Sequence, residues 1–412
     1  MLETLRNDAD IIIKNAIESS LPDSAVKKAL EKFPEVKGKI ILVSVGKAGW
    51  QMASAAYNEL GDRIEGGVVV TKYDHSKGPI GNLKIVEAGH PVPDENSYRG
   101  TEEAINAVSN LTSSDMVLFL VSGGGSALFE KPLIPTEDME KLTSELLASG
   151  ASITEMNTIR KRMSAVKGGK FALLCKPARV FSIVLSDIIG DPLDMIASGP
   201  AYPDKSTKEE AVAIAEKYNL SLTPLMKELL DKETPKSLDN TETYVTGSVK
   251  ELCKSAKESA ERLGYKPFIL TSSLSCIARE AGVFMANIAE NYSQSKESLA
   301  FICGGETVVK LTGKGKGGRN QEFALASAPI LSSIDNAAIF SVGSDGTDGP
   351  TDAAGGYVDT ETLSCLESKG IDVAKVLMDN DAYNALLASN GLVMTGPTGT
   401  NVNDFAVLLI KR

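Results

Sequence analysis

Five times along this chain a short run of Val, Ile, Leu and Phe breaks off into glycines beside a charged or hydroxyl residue. The five are ILVSVGKAGW from Ile41, MVLFLVSGGGSAL from Met116, FSIVLSDIIGDP from Phe181, FICGGETVV from Phe301 and FSVGSDGTDGPTD from Phe340. An apolar run of about four to six residues ended by glycine reads as a strand buried on both faces, as in parallel sheets. In open α/β sheets, ligands bind just beyond the carboxyl ends of such strands. Glycine there lets backbone N–H groups approach a phosphate, and Lys, Asp and Glu at the same edge supply charge and metal ligands. The pattern predicts an α/β enzyme that handles phosphates.

At 412 residues the chain exceeds one ordinary core, so two α/β domains are expected. Composition turns polar from Ser221 to Thr243, with Pro224 and Pro235, which puts the expected boundary near residue 238. That divides the chain into 1–238 and 239–412. A net charge of -11, with no basic cluster to offset it, argues against a nucleic-acid partner. An anionic substrate then needs locally concentrated Lys and Arg. The five cysteines are far apart and form no C-x-x-C pair, which fits the reduced thiols of a cytoplasmic protein. With only two histidines, His75 and His90, a His-rich zinc site is not expected, and both read as loop hydrogen-bonders. No apolar run reaches the roughly 18 to 20 residues of a membrane span. The acidic, amphipathic start differs from a signal peptide.

The periodicity predicts one or two amphipathic helices over Leu2 to Phe33, then a strand Lys39–Val45 and a helix from about Lys47 to Leu60. Gly67–Thr71, Lys84–Ala88, Met116–Val121 and Phe181–Leu185 read as strands, with a helix capped by Asp94 or Ser97 running to Leu111. A helix-rich stretch with basic residues, TEMNTIRKRMSAVKGGK, follows the SGGGS turn. Beyond the boundary, strand and helix alternate to a last strand at Asp404–Ile410. No fixed-period repeat appears.

The turns carry the chemistry. VGKAG sets Lys47 between Gly46 and Gly49, directly after a buried strand and at an expected helix start. It is neither a Walker A loop nor a G-x-G-x-x-G turn. A helix dipole disfavours a cation at that end, and a bound anion reverses the sign. SGGGSAL offers Ser122, Gly123, Gly124, Gly125 and Ser126 as a nest of N–H groups for phosphates, with Ser126 suited to cap the next helix. Asp187 lies two residues past its strand, where a metal ligand or general base would stand, whereas Asp191 before Pro192 shapes a turn. Asp194 closes the same loop. GGET carries Glu306, and Arg319 enters a helix behind Gly317 and Gly318. Asp345, Asp348 and Asp352 share one glycine-rich loop that fails the EF-hand spacing but suits Mg²⁺ through one or two carboxylates. In TGPTGTNVND, Asn401 is placed to orient a carboxylate or phosphate. Each of these motifs also has a plainer reading as a tight turn, a capped loop or a solvated basic segment.

GKAGWQMA, GHPVPDENS, LVSGGGSALFE, MNTIRKRMSAVKGGK, SDIIGDPLDMIASGP, CGGETVV, GGRNQEFALA, GSDGTDGPTDAAGG and TGPTGTNVND, in this order, resemble the type II glycerate kinases. These are glycerate 2-kinases with a C-terminal MOFRL region, and the resemblance covers nearly the whole chain. It implies a larger Rossmann-like α/β/α domain and a smaller α/β domain, with the active site in the interdomain cleft. It implies ATP and Mg²⁺ as cofactors and D-glycerate as substrate, phosphorylated at the 2-hydroxyl. Lys47 and Arg319 match the family's catalytic lysine and arginine; Asp187, Glu306, Asp345 and Asn401 match its other cleft residues. One departure is Tyr73-Asp74-His75, where the family reads Y-G-H. Mg²⁺ is expected on Asp187 or Asp345, which stand nearest their strand ends.

Phosphoryl transfer asks mainly for positioning and for neutralisation of spreading charge, and this set of parts provides both. The 3-hydroxyl as acceptor, a sugar-phosphate isomerase-like domain and a nucleotide-sensing module remain as alternatives. An isomerase without metal has little use for the Asp345 loop, and a sensor has no need for Lys47 and Arg319 to converge with carboxylates. A homodimer is left open.

Overall fold

The computed structural model describes residues 2–412. They form two six-stranded sheets in two compact units. One unit comprises residues 25–186 and 191–246; the other comprises 2–24, 187–190 and 247–412.

The first sheet contains β1 (Ile40–Val45), β2 (Ile64–Lys72), β3 (Lys84–Ala88), β4 (Met116–Val121), β5 (Arg179–Leu185) and β6 (Thr241–Gly247). Its order is β3-β2-β1-β4-β5-β6, and β1 to β5 run parallel. This is the strand order of doubly wound dinucleotide-binding sheets, whose order reverses between the first and fourth strands. β1 and β4 are buried along their whole length. Ile41, Val43, Val45, Val117, Phe119 and Val121 join one core, while Ile40, Leu42, Met116, Leu118 and Leu120 join the core on the opposite face. The period-two alternation of a strand thus explains the unbroken apolar runs. Each such side chain contributes roughly 1.5 to 3 kcal/mol by leaving water. A satellite core around Ile159, Leu142 and Leu230 holds the helix-rich stretch together.

The second sheet contains β7 (Lys266–Leu274), β8 (Leu299–Gly305), β9 (Ala337–Gly343), β10 (Gly355–Asp359), β11 (Leu392–Val393) and β12 (Asp404–Ile410), in the order β11-β10-β9-β12-β8-β7. It is mixed where a parallel sheet was expected. β12 enters antiparallel between β8 and β9, and only β7 with β8 is parallel. The antiparallel insertion lays Asp404 against both Gly305 and Gly343. The start of β12 therefore sits at the edge where β8 and β9 end.

Two further expectations are corrected. The proposed division near residue 238 falls ahead of β6, which hydrogen-bonds into the first sheet, so the units part at 246/247. Helix Leu2–Ser19 packs Leu5, Ala9, Ile12 and Ile13 into the core of the second sheet, with Leu252 and Phe405. It belongs to the C-terminal unit although it lies first in sequence. The five cysteines are unpaired, and among the described residues no helix is long and apolar enough to cross a membrane.

Candidate active site

In the first unit the tips of β1 and β4 meet at the point where strand order reverses. Gly46 has φ +117, and a Cβ there would lie 2.3 Å from Ser122 Oγ, so only glycine allows the two tips this close. The Lys47 N–H donates to the Gly123 carbonyl at 2.8 Å, and Ala48 N–H donates to Ser122 Oγ at 3.0 Å. The Thr71 hydroxyl donates to the Gly46 carbonyl at 3.0 Å, and His75 Nδ1 bonds the Lys47 carbonyl at 2.9 Å. Backbone atoms of Gly46 and Lys47 are thereby fixed, while the Lys47 side chain is exposed. The helix begins at Gly49 with Ala48 as its cap, two residues later than expected for Lys47.

The SGGGS loop closes over this corner. Gly124 has φ +83, and a Cβ on it would meet His90 Cδ2 at 3.0 Å and Lys47 Cγ at 3.2 Å. Within this unit the N–H groups of Gly123, Gly124 and Gly125 donate to no backbone carbonyl, as an anion-binding nest requires. Ser126 is not the cap: Gly124 caps the short helix Gly125–Leu128, and the Ser126 hydroxyl pairs with Ser198 Oγ at 3.0 Å. The hydroxyl of Ser122 is likewise committed to the frame of the turn.

His90, which reads from sequence as a loop hydrogen-bonder, packs its ring on Gly124 beside Lys47. Burial, followed by the charges of Lys47, Lys72 and His75, lowers its pKa below the ordinary histidine value. The unfolded chain then binds the proton more tightly, so the His90 contribution to stability is present above about pH 6.5 and lost as pH falls from there through the lower folded value. A His90→Gln variant is expected to lose less stability than the parent between pH 7.5 and 5.5, read by denaturant unfolding at each pH. An equal loss in both proteins would contradict this.

The second unit carries its own cluster where β8 and β9 end. Arg319 is the first residue of helix Arg319–Leu331. Its Nε donates to Asp404 Oδ2 at 2.5 Å and its Nη2 to Asp404 Oδ1 at 3.0 Å, with Glu306 Oε1 at 3.6 Å from Nη1. The hydrogen bond to Asp404 raises the arginine's pKa above its already high value. Asp404 is 6% exposed, and burial raises its pKa while Arg319 opposes the shift. A cation at a helix N-terminus opposes the helix dipole, as for Lys47, and for Arg319 a buried carboxylate answers that conflict.

Asp348 resolves the rest of that conflict. Its carboxylate accepts from Gln321 N–H at 2.9 Å and Asn320 N–H at 3.2 Å, capping the helix from outside. Burial raises its pKa to about 6. Asp352 accepts from the Tyr383 hydroxyl at 2.8 Å. Of the three loop carboxylates, only Asp345 keeps a light commitment, a 3.0 Å bond from Thr347 N–H. The Asp187 carbonyl accepts from Asn403 Nδ2 at 3.3 Å, which ties residues 187–190 to the start of β12. Asn401 is exposed on the loop leading there.

The first unit thus gathers Gly46, Lys47 and Ser122 to Ser126, and the second gathers Glu306, Arg319, Asp345 and Asp187. Among the described residues no three His, Cys, Asp or Glu side chains gather as a metal cage. The available donors fit a hard cation that takes most of its ligands from phosphates and water, as Mg²⁺ does.

Residues 8–231 match a domain of unknown function (DUF4147), and residues 299–404 match the MOFRL family. The chain is 51% identical to a D-glycerate 2-kinase of Thermotoga maritima, covering 99% of each sequence. It is 39% identical to a glycerate 2-kinase of Pyrococcus horikoshii, over 97% of this chain and 96% of the relative. The crystal structure of the glycerate kinase from Thermotoga maritima superposes with a TM-score of 0.93, covering 99% of this chain and 100% of that one. The fold is that of the two-domain α/β glycerate kinases. The chain belongs to the glycerate 2-kinase family.

Proposed function

We propose that this protein transfers the γ-phosphoryl group of ATP to the 2-hydroxyl of D-glycerate, giving 2-phosphoglycerate and ADP. The observation that carries the reading is 51% identity, over nearly all of both chains, to a D-glycerate 2-kinase. The isomerase-like and nucleotide-sensor readings fall away with the family assignment.

The glycerate 2-oxygen attacks the γ-phosphorus, a new O–P bond forms, and the bond to the β–γ bridging oxygen breaks to release ADP. Lys47 and Arg319 offset the charge that spreads over the transferring group. The N–H groups of the SGGGS loop hold phosphate oxygens, and Glu306 orients Arg319. Asn401 positions the acceptor. Asp187 takes the hydroxyl proton. Asp345, with Asp187 as a second donor, would hold Mg²⁺, which shields phosphate charge when bound. Localisation in the cytoplasm accords with five unpaired cysteines.

Enolase distinguishes the two acceptor positions, because it consumes 2-phosphoglycerate directly and 3-phosphoglycerate only after a mutase. Product is expected to feed enolase without mutase, and a need for mutase would refute the 2-position. Turnover is expected to vanish in excess chelator and to return with Mg²⁺. Full activity without a divalent ion would remove Asp345 from its assigned role.

A further inference from the structure

The basic stretch after SGGGS contains Arg160, Lys161, Arg162, Lys167 and Lys170; the fold pairs Lys161, Arg162 and Lys167 with carboxylates and gives Lys170 several backbone carbonyls, which leaves Arg160 the least satisfied of the five. Lys161 pairs with Asp204 at 3.0 Å, and Arg162 donates to Ser206 and lies near Asp204 and Glu233. Lys167 is buried against Glu130, and Lys170 donates to the carbonyls of Lys161 and Ser164 at the end of helix Ile153–Met163. Arg160 is different. Its one hydrogen bond is a long 3.5 Å contact from Nη2 to the Ser126 carbonyl, and its buried Nε has no acceptor. No carboxylate of its unit lies within ion-pair distance.

Its surroundings call for an anion. The same Ser126 carbonyl accepts from Lys167 Nζ at 2.7 Å, so two cations share one neutral acceptor. Glu130 is the carboxylate that balances Lys167. Burial lowers the Lys167 pKa to about 8, Glu130 opposes the shift, and the nearby Arg160 charge pushes it further down. The loop beside Arg160 is held in place. One turn earlier on the same helix, Asn157 Oδ1 accepts from the Ser198 hydroxyl at 3.1 Å, so Ser126 donates to Ser198 in turn. Ala197 and Ser198 adopt φ of +51 and +61, a left-handed backbone that non-glycine residues take only when the surroundings force it.

We infer that Arg160 is the specificity residue that binds the carboxylate of the glycerate, across the SGGGS loop from Lys47. Lys47 lies against Gly124 and Arg160 against Ser126, so the two cations bracket one short loop of N–H groups. A hydroxy acid presents a carboxylate one carbon from its reacting hydroxyl, and a guanidinium takes such a group through paired N–H donors. The SGGGS nest is left to the phosphates. This inference rests on the kinase reading.

The test compares wild type, Arg160→Gln and Arg160→Lys in steady-state kinetics, varying D-glycerate and ATP separately, with calorimetric titration of D-glycerate into each. Arg160→Gln is expected to raise the KM for D-glycerate on the order of 100-fold, as loss of a charge-assisted bond does. The KM for ATP should stay within about twofold, since no nucleotide contact is removed. Arg160→Lys recovers part of the loss, and it serves as the primary variant if Arg160→Gln proves unstable. An unchanged glycerate KM in a folded variant overturns the inference and leaves the kinase reading standing. A rise confined to ATP also overturns it, placing Arg160 on the nucleotide. A wild-type protein that spends no ATP on D-glycerate sinks both.

Discussion

Lys47→Ala is expected to lower kcat/KM for D-glycerate phosphorylation by about three orders of magnitude, since a cation acting on the transferring phosphoryl is worth roughly 10³ to 10⁵ in rate. The melting temperature should barely move. The turn holds itself together through the Lys47 backbone, which bonds Gly123 and His75, while the ammonium projects from an exposed side chain. Alanine keeps every one of those backbone bonds. Turnover and melting temperature measured on the same preparation decide the matter. A folded Lys47→Ala protein with most of its activity would end the proposed mechanism.

Arg319→Ala should abolish turnover to a similar degree and, unlike Lys47→Ala, should also weaken the fold. From sequence, both cations stand at helix starts and oppose the helix dipole, which predicts that removing either leaves stability untouched or slightly improved. The structure corrects that for Arg319. Its guanidinium grips Asp404 through two hydrogen bonds, and the carboxylate is 6% exposed. Removing one partner strands a buried charge, a loss of about 3 kcal/mol. For a unit of this size that is roughly 6 to 12 °C in melting temperature. The stranded carboxylate should take up a proton instead of staying ionised. Adding Asp404→Asn to Arg319→Ala should therefore recover much of the stability and none of the activity. If Arg319→Ala melts like the parent, the pair does not carry the weight assigned to it. If the double variant regains turnover, Arg319 is not a catalytic residue.

The contrast between the two cations also shows where the sequence is legible. The strand tips are written locally, since a buried run and its glycines are contiguous, and so Lys47, the SGGGS loop, Asp187, Glu306 and Asp345 can be located without coordinates. Asp404 cannot. It closes a polar loop in the sequence, and its meaning depends on β12 entering antiparallel between β8 and β9, a pairing of segments far apart in the chain. The helix-capping role of Asp348 hides for the same reason, because its N–H partners lie at Asn320 and Gln321. Arg160 is obscured differently. Within TIRKRMSAVKGGK the charges look alike, and only the positions of Asp204, Glu130 and Glu233 reveal which cation is left over. His90 carried a signal in GHPVPDENS, but its neighbourhood to Gly124 is a tertiary fact.

The helix Leu2–Ser19 has a consequence for the way the protein is made. Its apolar face is completed by Leu252, Ala256 and Phe405, which leave the ribosome long after it does. The first sheet has all its strands once residue 247 has emerged, so that unit can fold early, while the opening helix waits with Leu5, Ile12 and Ile13 uncovered. Only when β12 has been added, near residue 410, does its docking surface exist. The waiting interval is set by the speed of translation, about 5 to 20 residues per second, so this apolar stripe stands open for roughly 20 to 80 seconds. Vectorial synthesis thus leaves this apolar stripe uncovered while the rest of its own unit is being made.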